Sequence, residues 1–164
     1  MKNARPFQTI LSTDALNKIE QYDISFVFDK LCFDGKITAV EIPELETEFK
    51  KFIILVALNI QPIAMISPQV DEVWHQFILF TAQYRKFCLE TVGFFIGHTP
   101  DTPKTPIPVE AGENFREAYK ANFGDIPQIW YKGMDQESLK YYAQSHLIGR
   151  PPKLWSGWAG PEEL

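Results

Sequence analysis

The sequence predicts a mostly α-helical fold: a compact domain of five or six helices around a long central helix over about residues 68–92. Apolar residues recur every three to four positions over the first two thirds of the chain, which is the period of an amphipathic helix. Between Pro68 and Val92 there is no Gly or Pro to interrupt a helix. The chain has 164 residues, of which 45% are apolar, so one domain with a substantial core is expected.

Two short helices open the domain. The segment "TDALNKIEQYD" is amphipathic, with Thr13 or Asp14 as its N-cap. The segment "DISFVFDKLCFDG" follows and ends at Gly35, because Gly commonly occupies the position after a helix. The apolar stripe of this second helix consists of Ile24, Val27, Phe28 and Leu31.

A third helix is indicated by the capping-box pattern "TAVE" at Thr38, and it runs to about Leu58. Proline is tolerated only in the first turn of a helix. Pro43 therefore moves the expected start of this helix to Ile42 or Pro43.

The central helix is expected to begin at Ser67 and Pro68, which supply the N-cap and the first helical position. Its stripe is wide enough to need covering over most of the helix circumference. The stripe consists of Val70, Val73, Trp74, Phe77, Phe80, Tyr84, Phe87 and Cys88.

The remainder of the single domain 1–164 is less regular in pattern. The predicted parts are a helical core (1–92), a Pro-rich connector (93–112), short helices (113–146) and an irregular Trp-containing tail (147–164). Gly124 stops the first short helix, and Asp135 caps the second. We expect the tail to fold back as an extended strap, anchored by Trp155 or Trp158, because its Pro-Pro pair stiffens the chain.

Composition excludes several classes of function. The net charge is −5 without a basic stripe, which argues against nucleic-acid binding. The longest apolar run, "FIILVAL" at residues 52–58, is far shorter than the roughly 20 residues of a membrane span. The start of the sequence lacks a signal-peptide pattern, so a cytoplasmic location is expected. Cys32 and Cys88 are interpreted as reduced, buried thiols.

Asp71, His75 and His98 are the candidate metal ligands. Asp71 and His75 are four positions apart and share one face of the predicted helix. His98 follows the turn at Gly93 and could fold back to complete a two-histidine, one-carboxylate set for a divalent metal such as zinc. Cys88 is excluded if the helix is continuous, since it would lie about 20 Å from His75 along the axis.

The same residues also fit an ordinary structural role, which the sequence favours. Asp71 lies in the first turn of its helix, where a carboxylate interacts favourably with the helix dipole. His75 sits beside the apolar stripe, where a half-buried imidazole commonly pairs with a local acceptor.

The central segment resembles the glycine-rich domain-containing protein-like family, whose motif is "VDxxWHxH", then "Y…FC", a Gly and an "HHxP" turn. The matching residues are Val70, Asp71, Trp74, His75, Tyr84, Phe87, Cys88, Gly93, His98 and Pro100. The resemblance covers about residues 23–130, including "FREAYKANFGDIPQIW", and implies no particular activity. Phe77 and Gly97 replace two histidines of the motif, so a metal bound through paired histidines would lose half of its donors here.

No complete catalytic set is recognisable, and no catalytic residue or cofactor is assigned. The leading hypothesis is therefore a non-catalytic cytoplasmic protein that binds another protein or peptide. The contacts would come from the loop and tail surface near His75, His98, Trp155 and Trp158. One alternative is a metal-binding protein or metal-dependent enzyme that uses Asp71, His75 and His98. Another is a small-ligand pocket near Trp74 and His75.

Overall fold

A computed structural model describes residues 11–133 and 158–161 and confirms the mostly helical fold. The α-helices are α1 (Thr13–Gln21), α2 (Ser25–Phe33), α3 (Ile42–Ala57), α4 (Pro68–Leu79), α5 (Thr81–Thr91) and α6 (Val109–Phe123). A 3-10 helix covers Gln128–Trp130. Three strands accompany them: β1 (Ile63–Ala64), β2 (Ile96–Thr99) and β3 (Trp158–Pro161). Within the described ranges, no helix is of the length and apolar character that a membrane crossing requires.

The helix starts follow local capping chemistry. Helix α1 is capped by Ser12 rather than by Thr13 or Asp14, and the Ser12 Oγ accepts a hydrogen bond from the Ala15 N–H at 3.2 Å. Helix α3 begins at Ile42, as Pro43 indicated. Helix α4 begins after Ser67 as predicted, and the Ser67 Oγ accepts from the Val70 N–H at 3.2 Å.

The single central helix is the prediction that the structure corrects. Phe80, with φ −81° and ψ 61°, separates α4 from α5. The ring of Phe77 lies 5.1 Å from the rings of both Tyr84 and Phe87. On one straight helix Phe77 and Phe87 would be about 15 Å apart along the axis, so α5 must turn beside α4.

Aromatic packing accounts for this break. The Phe80 ring contacts Phe26 of α2 edge to face, with ring centroids 5.0 Å apart. Phe26 also contacts Phe77 at 5.7 Å. Burying these rings together outweighs the local preference for a continuous helix, although neither Gly nor Pro is present at the break.

A small antiparallel sheet corrects two further predictions. Strand β3 lies between β1 and β2, and its register places His98 opposite Ala159 and Thr99 opposite Trp158. The connector 93–112 therefore contains β2 and the start of α6, and the tail predicted as irregular contains a strand. Strand pairing satisfies backbone donors and acceptors that an extended strap would leave to water.

Two predicted features fall outside the described residues. These are the short helix capped by Asp135 and the anchor Trp155. Helix α6 begins at Val109, earlier than predicted, and ends before Gly124, whose φ is 84°.

Glu48 of α3 carries a buried carboxylate that is held in a hydrogen-bonded network. Its Oε2 accepts hydrogen bonds from the Tyr119 hydroxyl and the Trp130 indole N–H, both at 2.6 Å. Its Oε1 lies 2.8 Å from the Lys51 ammonium. Burial and the hydrogen bond to Glu48 raise the pKa of Tyr119, so its hydroxyl remains a donor. This network ties α3 to α6 and to the 3-10 helix.

Candidate metal centre

Asp71 lies between two histidines. Its Oδ1 is 3.0 Å from Nε2 of His98, which is 27 positions further along the chain. Its Oδ2 is 3.4 Å from Nε2 of His75, one turn further along α4. One donor atom of each residue lies within 4.8 Å of the others. The structure therefore brings together the three residues that the sequence singled out as candidate ligands.

The three side chains differ sharply in exposure. Asp71 is 3% exposed and His98 is 8% exposed, whereas the side chain of His75 is 49% exposed. The separation of 3.4 Å between Asp71 and His75 exceeds the usual range of an N–H···O hydrogen bond. Asp71 and His98 thus form a buried pair, and His75 covers it from the solvent side.

His98 is positioned by strand β2 and by an aromatic surface. Its ring lies 4.3 Å from the indole of Trp74 and 4.6 Å from the ring of His75. Trp74 is fully buried. The site is thus backed by the core on one side and open to solvent at His75.

A hydrogen-bonded chain connects the helices to β2 beneath this site. The indole N–H of Trp74 donates to the Tyr84 hydroxyl at 2.8 Å, and that hydroxyl donates to the Ile96 carbonyl at 2.7 Å. Trp74 and Tyr84 are ten positions apart, and only the turn at Phe80 lets them meet. Tyr84 was predicted only as a member of the apolar stripe. The feature that could have revealed its role is its hydroxyl, because a buried tyrosine hydroxyl usually has a hydrogen-bond partner.

The donor set matches the coordination preferences of transition metals. Ligand bonds of about 2.0–2.2 Å in a tetrahedron place neighbouring donor atoms roughly 3.4 Å apart. The separations of His98 from Oδ1 of Asp71, 3.0 Å, and of His75 from Oδ2 of Asp71, 3.4 Å, are each close to that spacing. Two imidazoles and a carboxylate are the protein ligands of some catalytic zinc sites and of many non-haem Fe(II) sites.

Cys88 does not belong to this donor group. The distance of about 20 Å expected between Cys88 and His75 holds only for an unbroken helix, and the break at Phe80 makes that expectation wrong. Cys88 is fully buried, and burial raises the pKa of its thiol. In the part of the chain that the structure describes, the only group of metal-ligating side chains is Asp71, His75 and His98.

Trp155 and Trp158 of the tail were predicted to contact a partner, and the structure describes only the backbone of Trp158. Trp158 pairs opposite Thr99, beside His98, through its backbone in β3. Trp155 lies outside the described residues. A partner surface that includes these tryptophans stays a prediction, as does a small-ligand pocket near Trp74 and His75.

Comparison with known proteins places the site within a family. Neither the curated proteins nor the solved structures contain a match to this chain. A family model described as UCP032817-like matches residues 17–125, which is more than half of the chain and includes all three candidate ligands. The resemblance to the glycine-rich domain-containing protein-like family stays a prediction. The chain belongs to the UCP032817-like family.

Proposed function

We propose that this protein binds a divalent transition-metal ion, such as zinc, through Asp71, His75 and His98. The observation that carries the proposal is the convergence of three donor atoms within 4.8 Å. They come from two turns of α4 and from a strand 27 positions away. The motif of the glycine-rich domain-containing protein-like family, which this chain resembles, includes the same three residues.

The competing interpretation is a purely structural cluster. A buried carboxylate needs hydrogen bonds, and His98 supplies one to Asp71 at 3.0 Å. His75 is half exposed and 3.4 Å from Asp71, so it adds little to the stability of the fold. Metal coordination explains why His75 lies beside Asp71 and His98, whereas a contribution to fold stability does not explain it.

The proposed site has the character of a catalytic rather than a structural metal centre. Structural zinc is closed by four protein ligands, whereas three protein ligands leave a position for water or a substrate. The half-exposed His75 places that position at the solvent side. A metal-dependent reaction at the open position is therefore part of the proposal.

Metal binding is tested on untagged protein that has been stripped with a chelator. We expect zinc to bind with a stoichiometry of one in calorimetry. At 100-fold excess over Kd, the ion should stabilise the fold by about 2.7 kcal/mol. That corresponds to a rise in Tm of roughly 5–10 °C for a chain of this size.

The matched control is His75→Ala. Because His75 is half exposed, the metal-free variant should unfold at nearly the wild-type temperature, yet lose most of the zinc-induced shift. Absence of saturable binding of zinc, Fe²⁺, Mn²⁺ and Co²⁺ to the wild type would contradict the proposal. So would a His75→Ala variant that binds zinc as tightly as the wild type.

A second proposal retains protein or peptide binding in the cytoplasm. It is favoured by the half-exposed His75 and by the pairing of β3 with the strand that carries His98, which brings the tail backbone to the same end of the molecule. A crosslinking screen should compare the wild type with a Trp155→Ala, Trp158→Ala double variant. If both proteins capture the same partners equally well, Trp155 and Trp158 do not contribute to partner binding.

A further inference from the structure

We propose that Tyr84 is the positioning residue of the metal centre, setting its affinity without touching the ion. This inference rests on the proposed metal binding and deepens it. The Tyr84 hydroxyl lies where two separate routes to His98 meet: one runs through the backbone of β2, and the other through the indole of Trp74.

The backbone route begins at Ile96. Its carbonyl accepts a hydrogen bond from the Tyr84 hydroxyl at 2.7 Å, and it lies two residues before His98 on the same strand. On the other edge, β2 pairs with β3 from Ile96 to Thr99. The strand that presents His98 is thus fixed by α5 at its first residue and by the tail along its length.

The aromatic route passes through Trp74. Its indole N–H donates to the same hydroxyl at 2.8 Å, which fixes the orientation of the ring. The ring of His98 lies 4.3 Å from that indole. Asp71, the partner of His98, stands one turn before Trp74 on α4, so this hydrogen bond also aligns the two ligands with each other.

The Tyr84 ring itself is held independently of the hydroxyl. It contacts Phe77 at 5.1 Å and Phe95 at 5.5 Å, both edge to face. Tyr84→Phe therefore keeps the packing and removes the hydroxyl bonds to Ile96 and Trp74, together with the hydrogen bond between this hydroxyl and the Cys88 thiol. Strand β2 and the Trp74 indole then each lose a hydrogen bond that fixes the position of His98. Metal binding must therefore also restrict the motion of His98, which lowers the affinity. Loss of such outer partners typically weakens metal affinity by 10-fold or more, and we expect about 10-fold here.

Tyr119→Phe is the matched control. Tyr119 is also fully buried, and its hydroxyl is hydrogen-bonded to Glu48 and Lys51. Neither of these partners belongs to the metal centre. Removal of either hydroxyl should destabilise the metal-free protein. Only the loss of the Tyr84 hydroxyl should weaken metal binding.

The experiment titrates Co²⁺ into wild type, Tyr84→Phe and Tyr119→Phe, and follows both the affinity and the visible absorption spectrum of the bound ion. We expect the spectrum and affinity to change in Tyr84→Phe and to match the wild type in Tyr119→Phe. Trp74→Phe, which removes the indole donor, is expected to weaken binding in the same direction and serves if Tyr84→Phe does not fold.

The outcomes separate the two proposals. Equal affinity and identical spectra for wild type and Tyr84→Phe would overturn the positioning role and leave metal binding intact. Equal weakening in both tyrosine variants would also overturn it, since the effect would then follow general stability. A wild type that binds no Co²⁺ and no Zn²⁺ would overturn the proposed function itself.

Discussion

Asp71, His75 and His98 were recognisable from the sequence because their chemistry depends on residue type and local spacing. Asp71 and His75 are one helical turn apart, and His98 follows the nearest chain reversal. Their convergence was not predictable from spacing alone, since it requires strand β2 to return against α4. Tyr84 and Glu48 were missed as polar centres because their partners are remote in sequence or are reached only through a bend.

Glu48 shows the energetic weight of such a remote network. Glu48→Ala would leave the Tyr119 hydroxyl and the Trp130 indole N–H without their buried acceptor. We expect a loss of about 3–5 kcal/mol in the free energy of unfolding, the usual cost of removing one partner of a buried charged group. Urea unfolding followed by circular dichroism measures it.

The control for Glu48→Ala is Glu117→Ala, at an exposed position of α6. This variant should stay within about 0.5 kcal/mol of the wild type, as exposed substitutions generally do. A Glu48→Ala protein as stable as Glu117→Ala would show that the buried network is dispensable.

At the level of elements, the helices were predicted well and the break at Phe80 was not. Helices α2, α3 and α6 carry regular apolar stripes with recognisable starts or stops, such as Pro43 and Gly124. The break has no local signal, because it is produced by the packing of Phe80 and Phe77 against Phe26 of α2. The strands β1 and β2 are two and four residues long, too short for a period-two pattern to emerge.

The N-cap of α4 gives a prediction at this scale. The Ser67 hydroxyl accepts from the Val70 N–H and donates to the Ile129 carbonyl at 2.9 Å, so it both begins the helix and ties it to the 3-10 helix. Ser67→Ala should lower the free energy of unfolding by about 2 kcal/mol, since a cap and a buried hydrogen bond are lost together.

Ser12→Ala is the comparison, because Ser12 caps α1 at an exposed position. Its expected cost is about 1 kcal/mol or less. Both values come from chemical denaturation under identical conditions. Equal costs at the two positions would contradict a tertiary role for the Ser67 hydroxyl.

At the scale of the whole molecule, residues far apart in sequence close the structure around the candidate metal centre. Strand β3 is the middle strand of the sheet, pairing with β1 on one side and with β2 on the other. The sequence predicted that the tail folds back over the helical core. It could not predict a strand at residues 158–161, because "WAGP" contains Gly and Pro, which are disfavoured in strands.

Truncation tests this closure. A chain that ends at residue 157 lacks β3 and leaves the edge of β2 unpaired. We expect a lower Tm and a zinc affinity reduced by about 10-fold, because His98 loses one of the supports of its strand. A chain that ends at Pro161 retains the whole strand and should match the 164-residue chain. Unchanged zinc affinity in the chain that ends at residue 157 would show that β3 does not support the metal centre.

The most direct test of metal coordination by Asp71, His75 and His98 is a crystal structure of the zinc-loaded protein, with diffraction recorded on both sides of the zinc absorption edge. We expect one anomalous peak about 2 Å from a carboxylate oxygen of Asp71 and from one ring nitrogen each of His75 and His98. Crystals grown with saturating zinc that show Asp71 still bonded to His98, and no anomalous peak between the three side chains, would contradict it.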